Sequence, residues 1–225
     1  MRRIARFLVL LALGLLALSV VGVLAYRVLP VPATALMLIR AFDDHGIEKD
    51  WVPLSDVSPH LVRAVIGSED SRFCTHSGFD WEALRAAWRE TMEGGRLRGG
   101  STISMQTAKN TFLWPDRTFV RKVAEAWFTL LIETFWPKPR IMEVYLNVIE
   151  WGPGIYGAQA AARHWFGKPA ASLTAREAAR LTAVLPAPLS RSPAQPSAFV
   201  ARTAGIIEQR MAIVARDGLA DCALP

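Results

Sequence analysis

Residues 58–80 read Ser58-Pro59-His60-Leu61-Val62-Arg63-Ala64-Val65-Ile66-Gly67-Ser68-Glu69-Asp70-Ser71-Arg72-Phe73-Cys74-Thr75-His76-Ser77-Gly78-Phe79-Asp80. Ser58 is a capping residue, and Pro59 suits the first helical position, where its missing N–H is no loss. Leu61, Val62, Val65 and Ile66 recur at helical spacing and form one apolar face. The helix should end near Glu69, where an irregular polar segment begins. A carboxylate at such a boundary can be half buried, which raises its pKa toward general-base duty. The plainer reading is a polar helix end with His76 hydrogen-bonded inside a loop, and composition alone favours it.

Helical signals dominate toward the C-terminus. Asp80 can cap a second helix, with Trp81, Leu84 and Trp88 on one side. Gly94-Gly95 and Gly99-Gly100 bracket Arg96-Leu97-Arg98, a loop expected to be mobile. Ser101 can cap the next helix. Val120, Val123, Trp127, Leu131 and Phe135 mark a long helix that stops before Pro137 and Pro139. Ile141, Tyr145 and Val148 mark another, ended by Gly152-Pro153-Gly154. The alanines of 158–162 suit a helix packed closely on a neighbour. Thr174-Ala175-Arg176-Glu177 is a capping box, and its helix ends at Pro186 and Pro188. A last amphipathic helix carries Phe199, Ile206, Ile207, Ile213 and Val214, with Gly218 to close it. No alternating strand pattern, internal repeat or low-complexity tract appears. The expected domain is all-α.

Toward the N-terminus, no charge interrupts the apolar run from Phe7 to Tyr26. At about 1.5 Å per residue such a run crosses a hydrocarbon core of about 30 Å. Arg2, Arg3 and Arg6 precede it and would keep the N-terminus cytoplasmic. A cleaved signal peptide is the competing reading, since Ala33-Thr34-Ala35 resembles a cleavage site. The run exceeds the usual apolar length of about 7–15 residues, however, and Arg27, Pro30 and Pro32 separate it from that site. The expected organisation is a cytoplasmic tail (1–6), a transmembrane helix (7–27), a connector with a weak apolar patch (28–57) and one folded domain (58–225).

Of the 225 residues 52% are hydrophobic, and the net charge is +6. With the N-terminal arginines set aside, the outer domain is mildly basic. That is either a solvated surface or an affinity for anionic head groups or a phosphorylated substrate. Cys74 and Cys222 lie far apart. An oxidising compartment permits a disulfide, but two cysteines are no framework, so they are expected unpaired. His45, His60, His76 and His164 show no metal-ligand spacing, and a zinc site is not expected.

Three further segments could carry chemistry. Gly99-Gly100-Ser101-Thr102-Ile103-Ser104-Met105-Gln106-Thr107-Ala108-Lys109-Asn110 is a glycine-rich turn feeding a helix, a geometry that favours anions. Thr102, Gln106, Lys109 and Asn110 share one face, which holds a lysine and two amides and suits an oxyanion-rich ligand. It is not a phosphate-binding P-loop, because GxxxxGK[ST] is absent. An ordinary capped helix with a wet face is the alternative. Arg117 precedes Arg121-Lys122-Val123-Ala124-Glu125. Glu125 either makes a helical ion pair with Arg121, worth a few tenths of a kcal/mol, or is a second carboxylate kept ionised beside cations. Glu143 and Asn147 share a helix face and read as scaffold.

Taken in order, these segments resemble the peptidoglycan glycosyltransferase (transglycosylase) family. Its patterns are EDxxFxxHxGFD (Glu69–Asp80), GGSTxxxQxxKN (Gly99–Asn110), RKxxE (Arg121–Glu125) and a YLN segment followed by glycines (Tyr145–Asn147). An alanine-rich stretch ending in Trp165-Phe166-Gly167-Lys168 closes the series. The wording from Asn147 to Gly157 is similar to the monofunctional branch, and no transpeptidase activity is expected.

The resemblance implies a lysozyme-like fold of two lobes, head and jaw, preceded by one transmembrane helix. It implies polymerisation of lipid II into β-1,4-linked glycan, with inversion and release of undecaprenyl diphosphate. Glu69 would be the general base and Glu125 the second essential carboxylate. Lys109 would bind the donor diphosphate with Arg117 nearby, and Ser101, Thr102, Gln106, Asn110, Arg121 and Lys122 would complete the site. His76, Gly78 and Asn147 would be structural. Ser104-Met105 stands where members often have two polar residues. No organic cofactor is implied, no metal ligand is assigned, and a divalent cation (Mg or Mn) could join at the diphosphate. Expected partners are lipid II, the growing lipid-linked strand, the membrane and other cell-wall synthesis proteins, but no nucleic acid. The expected location is the bacterial inner membrane, single-pass, with the enzyme domain periplasmic. The rivals are a lytic transglycosylase or lysozyme-type hydrolase, and an inert membrane-anchored assembly factor.

Overall fold

The structure, a computed structural model, describes residues 1–43, 45–92 and 100–224, and is silent on the Thr91 side chain. The expected mobile loop at Arg96-Leu97-Arg98 lies outside the described residues. In chain order the elements are α1 (Arg2–Tyr26), α2 (Ala35–Phe42), β1 (Glu48–Lys49), α3 (Pro59–Glu69), α4 (Trp81–Met92), α5 (Ile103–Phe112), α6 (Phe119–Phe135), α7 (Lys138–Val148), β2 (Glu150–Gly152), β3 (Ile155–Tyr156), α8 (Ala158–Phe166), α9 (Ala175–Val184) and α10 (Ala198–Arg216). The fold is mainly helical, as the periodicity indicates.

Caps set the helix starts. Ser58 Oγ accepts the His60 N–H to open α3. Asp80 Oδ1 accepts the Ala83 N–H at 2.9 Å to open α4. Thr174 and Glu177 form the complete capping box of α9. Each satisfies an N–H that the first helical turn leaves without a partner. At α5 the cap is Thr102, not Ser101: its hydroxyl accepts from Met105 N and donates to Gly78 O at 2.6 Å. That second contact fixes the helix start one residue later than composition suggests.

The core forms where α10 packs on α3 and α9, and where α5 packs on α6 and α7. Leu61, Val65, Ile66, Ile141, Leu146 and Leu181 are fully buried there. Gly67 permits the close approach of α3 and α10, since a Cβ there would stand 3.2 Å from Arg210 Cβ and 3.3 Å from Val214 Cγ2. By contrast, the apolar side of α4 is exposed at Trp81, Leu84 and Trp88.

A small sheet was not anticipated from the sequence. β1 pairs parallel to β3, with Glu48 opposite Ile155, and β2 pairs antiparallel to β3. Its strands hold two or three residues each, too few to show a period of two. The segment at 28–57 is also more ordered than a linker. It contains α2, capped by Thr34 with Met37 buried, and β1.

Helix α1 is long and apolar enough to cross a membrane, with mean hydropathy 2.9 and 6% of its apolar window buried. Its C-terminal end is bolted to the domain. Trp136 Nε1 donates to Val23 O at 2.7 Å, and Arg140 donates to Tyr26 O from Nε at 3.0 Å and from Nη2 at 2.7 Å. Tyr26 O is one of the carbonyls that the end of a helix leaves free, whereas Val23 O also accepts the Arg27 N–H at 3.0 Å. Phe112 stands 5.9 Å from Tyr26, ring centre to ring centre, and stacks on Phe128 at 4.5 Å.

The cysteines are not free. Cys74 and Cys222 form a disulfide across 148 residues, with their Cα atoms 5.6 Å apart. α10 lies along α3, and the turn at Gly218 (φ 63°) carries the C-terminal tail to the loop that follows α3. Distance along the chain could not reveal that meeting.

Candidate active site

Glu69 is the last residue of α3, half buried, and Asp70 follows it as the C-cap. The Asp70 carboxylate turns inward. It accepts the Ile103 N–H at 2.9 Å and sits against His76 Nε2 at 3.0 Å. Its charge therefore lies at the N-terminus of α5, where free N–H groups and the helix dipole favour an anion. His76 Nδ1 accepts the Gly78 N–H at 3.2 Å, so the ring proton belongs on Nε2, facing Asp70. Gly78 has φ 93°, and a Cβ there would stand 2.8 Å from Thr129 Cγ2. Lys138 Nζ donates to His76 O at 2.7 Å and to Glu133 Oε1 at 2.8 Å. The loop after Glu69 is thus latched to α5 and to Lys138 at the start of α7, with His76 and Gly78 in positions that hold it.

One turn into α5, Gln106 Nε2 donates to Glu69 Oε2 at 3.0 Å. Tyr145, from α7, donates its hydroxyl to Gln106 Oε1 at 3.3 Å. Lys109 and Asn110, on the next turn, line the same cleft of about 260 Å³ as Glu69, Gln106, Tyr145 and Glu150. Glu69 and Lys109 thus border one cleft. Burial depresses the Lys109 pKa below the ordinary lysine value. The Glu125 charge opposes that, Arg121 and Lys122 add to it, and Glu69 opposes it weakly. A half-desolvated ammonium of this kind gains from any anion that enters the cleft.

Glu125 is 2% exposed and is held by ion pairs to Arg121 and Lys122, its neighbours on α6. It therefore acts as a fixed counter-charge beside Lys109. Arg121 is itself buried, and among the described residues its Nε has no hydrogen-bond partner.

Glu69 also lines a second cleft of about 360 Å³, with Ser68, Gly100, Ser101, Arg210 and Leu219. Thr102 borders that cleft, but its hydroxyl is engaged by the α5 cap and Gly78. The remaining expected residues lie elsewhere. Arg117 is exposed on the link between α5 and α6 and is not part of the lining of the Lys109 cleft. Asn147 accepts the Val52 N–H at 3.0 Å and donates to Val52 O at 2.9 Å, which pins the segment leading into the domain.

Sequence reasoning passed over Asp70, Tyr145 and Glu150. Asp70 directly follows the expected base, but nothing in the sequence shows that it turns under α5. Tyr145 reads as part of an apolar helix face and of the YLN segment, and Glu150 as part of the Asn147–Gly157 stretch, neither with a role in the site. Among the described residues no group of three or more His, Cys, Asp or Glu side chains could hold a metal. The cleft offers the carboxylates of Glu69 and Glu150 beside a lysine, a donor set that does not fit a resident cation.

The family model described as Transglycosylase matches residues 37–213. A biosynthetic peptidoglycan transglycosylase of Rhodospirillum centenum is 61% identical over 225 residues, covering 100% of this chain and 96% of the relative. One from Caulobacter vibrioides is 54% identical over 222 residues, covering 98% and 97%. One from Jannaschia sp. is 49% identical over 209 residues, covering 93% and 86%. A helical domain with its carboxylate, amide and lysine in one cleft, led by an apolar helix, is the build of a glycosyl-transfer enzyme. The chain belongs to the transglycosylase family.

Proposed function

We infer that the chain is a peptidoglycan glycosyltransferase of cell-wall synthesis, which joins lipid II units into β-1,4-linked glycan. The observation that carries this reading is the common cleft of Glu69 and Lys109. Glu69 removes the proton from the acceptor sugar's 4-hydroxyl. That oxygen attacks the donor's anomeric carbon from the face opposite the diphosphate, so an α-linked donor becomes a β-linked product. The bond to the diphosphate breaks, and its electron pair leaves on the phosphate oxygen as undecaprenyl diphosphate.

Lys109 neutralises the charge that develops on the leaving group, where low local polarity makes a fixed cation most effective. The Asn110 amide, which lines the same cleft, supports the same role. Glu125 keeps Arg121 and Lys122 aligned and favours the charged form of Lys109. Arg117 reaches the diphosphate from its exposed link once the donor is bound. Ser101 and Arg210, across Glu69, offer polar contacts to the other sugar.

The anchor belongs to the mechanism. Both substrates carry lipid tails, and α1 holds the cleft where they lie, which raises their effective concentration. Phe119, Val120, Val123 and Leu130 expose an apolar face on α6, the helix packed on α1, and that face suits a bilayer. Arg2, Arg3 and Arg6 at the N-terminal end of α1 support a cytoplasmic N-terminus, and the disulfide supports a periplasmic domain.

Incubating the purified full-length enzyme with lipid II tests the reading. Longer glycan and free undecaprenyl diphosphate are expected. Shortening of existing glycan without polymer would favour the hydrolytic rival.

A further inference from the structure

We propose that the groove between α1 and α6 holds the polyisoprenoid tail of the donor whose diphosphate lies at Lys109. This deepens the reading of the chain as a lipid II polymerase and rests on it.

The groove has a volume of about 700 Å³ and opens beside the apolar helix. Leu15, Ser19 and Gly22 give it one wall, at spacings that put them on one face of α1. Gly22 keeps that wall open, since a Cβ there would meet only Phe112 Cε1, at 3.9 Å. Ala124, Trp127 and Phe128 of α6 form the opposite wall. Every lining residue from α1 falls inside the uninterrupted apolar run, which puts the groove at the depth of the bilayer.

The side-chain polar hydrogens of the walls are already committed. Trp127 Nε1 donates to Ser19 Oγ at 3.0 Å, the Ser19 hydroxyl donates to Leu16 O at 2.7 Å, and Trp114 Nε1 donates to Asp116 Oδ2 at 3.4 Å. Such walls suit hydrocarbon and offer a polar ligand nothing in return for its lost water.

The groove and the polar cleft share α5. Lys109 and Asn110 line the cleft, and Phe112, Leu113 and Trp114 carry the chain on into the groove. The Leu113 N–H donates to Lys109 O at 3.0 Å, so one helical turn separates the cation from the apolar wall. A ligand with a charged head and a long apolar tail matches that order.

Hydrophobicity alone does not choose the occupant, because a chain that leaves the bilayer for the groove stays in hydrocarbon. Shape chooses it. An isoprenoid has a double bond in every unit and fewer rotors to freeze than a saturated acyl chain. The rings of Phe112, Trp114, Trp127 and Phe128 offer it flat faces. Seating the tail also limits the directions from which the diphosphate can approach Lys109.

The test is photo-crosslinking of the full-length enzyme in phospholipid vesicles, using undecaprenyl diphosphate with a diazirine in its tail. Label should appear on groove residues such as Phe112, Leu113 and Phe128, and excess unlabelled undecaprenyl diphosphate should displace it. Lys109→Ala should weaken the labelling, because the head no longer fixes the tail. The preference for lipid II with a full-length tail over lipid II with a truncated one, read as a ratio of kcat/KM, gives a second readout. Ala124→Phe, which fills the groove, should lower that ratio roughly tenfold, the loss of about ten close carbon contacts. Gly22→Leu, from the opposite wall, should lower it as well. An unchanged ratio in both variants would overturn the proposal. So would a diazirine phospholipid that labels the same residues as strongly and is not displaced, which would put bulk lipid in the groove. Labelling that vanishes as protein density in the vesicles rises would put a second copy of the chain there and would overturn it too. If the wild type labels in the groove but forms no glycan, the tail site stands and the proposed reaction fails. If it forms glycan with the groove unlabelled, the reaction stands and the tail site fails.

Discussion

The carboxylate of Asp70 accepts the backbone N–H of Ile103 at 2.9 Å, so the end of α3 and the start of α5 form one joint. Glu69 stands on one side of that joint and Gln106 and Lys109 on the other. The placement of base and cation thus depends on a buried side chain that ties the two helices together. Asp70→Ala should leave the first N–H of α5 and the His76 Nε2–H without a partner. A cost of about 2–3 kcal/mol follows, with a fall in kcat out of proportion to any change in KM. Thermal unfolding and steady-state kinetics check both. A His76→Ala change made together with Asp70→Ala should cost less than the sum of the two singles.

Lys109 yields a pH prediction. Its pKa in the folded protein lies below that of a free lysine, with burial as the main cause. Between the folded and unfolded values the unfolded chain holds more protons. Stability of the substrate-free enzyme should therefore rise with pH across that window. Lys109→Met should remove this rise, as denaturant unfolding at a series of alkaline pH values would show. Activity should follow the opposite trend, since only the ammonium neutralises the leaving group. Its alkaline limb should fall below the free-lysine value of about 10.4. A rate that stays level through that range would contradict the assignment of Lys109.

The Cys74–Cys222 bond ties the loop after the base to the tail that follows α10. Cys222→Ala, or reduction of the wild type, should cost about 2–5 kcal/mol through the freedom returned to the unfolded chain. It should also loosen the wall that Leu219 contributes to the second cleft, which appears as a raised KM. Unfolding midpoints with and without reductant check the first effect. Equal midpoints would show that the bond contributes nothing to stability.

Arg140 and Trp136 lock α1 to the domain. Arg140→Ala should free the anchor to tilt and change the height of the cleft above the lipid surface. Lost charge-assisted hydrogen bonds of about 1.5–3 kcal/mol correspond to a drop of roughly 10- to 150-fold in kcat/KM on lipid II in vesicles. The loss should shrink in detergent micelles, where no fixed surface exists. An equal loss in both would point to damage in the fold, since Arg140 also pairs with Glu143.

Much of the helical architecture was legible because its signals are local. Ser58-Pro59, Asp80 and the Thr174–Glu177 box mark helix starts through bonds made within a turn. Thr102 was misjudged in favour of Ser101 because its deciding contact is to Gly78 O, 24 positions away in sequence. The disulfide and the β1–β3 pair are long-range meetings of the same kind, brought together only by the packing of helices. In the cleft, Gln106, Lys109 and Asn110 could be placed on one face by helical spacing alone. Tyr145 could not, because its hydroxyl reaches the site through the core from another helix, while its ring follows the apolar pattern that sequence reading assigns to packing.

The most direct test of the central claim is the rate of lipid II polymerisation by full-length Glu69→Gln protein whose fold is verified by its unfolding midpoint. The side chain keeps its size and its place beside Gln106 but cannot take a proton. The rate should fall by about 10²–10⁴-fold, the usual contribution of a positioned general base. Chain elongation near the wild-type rate would contradict the account.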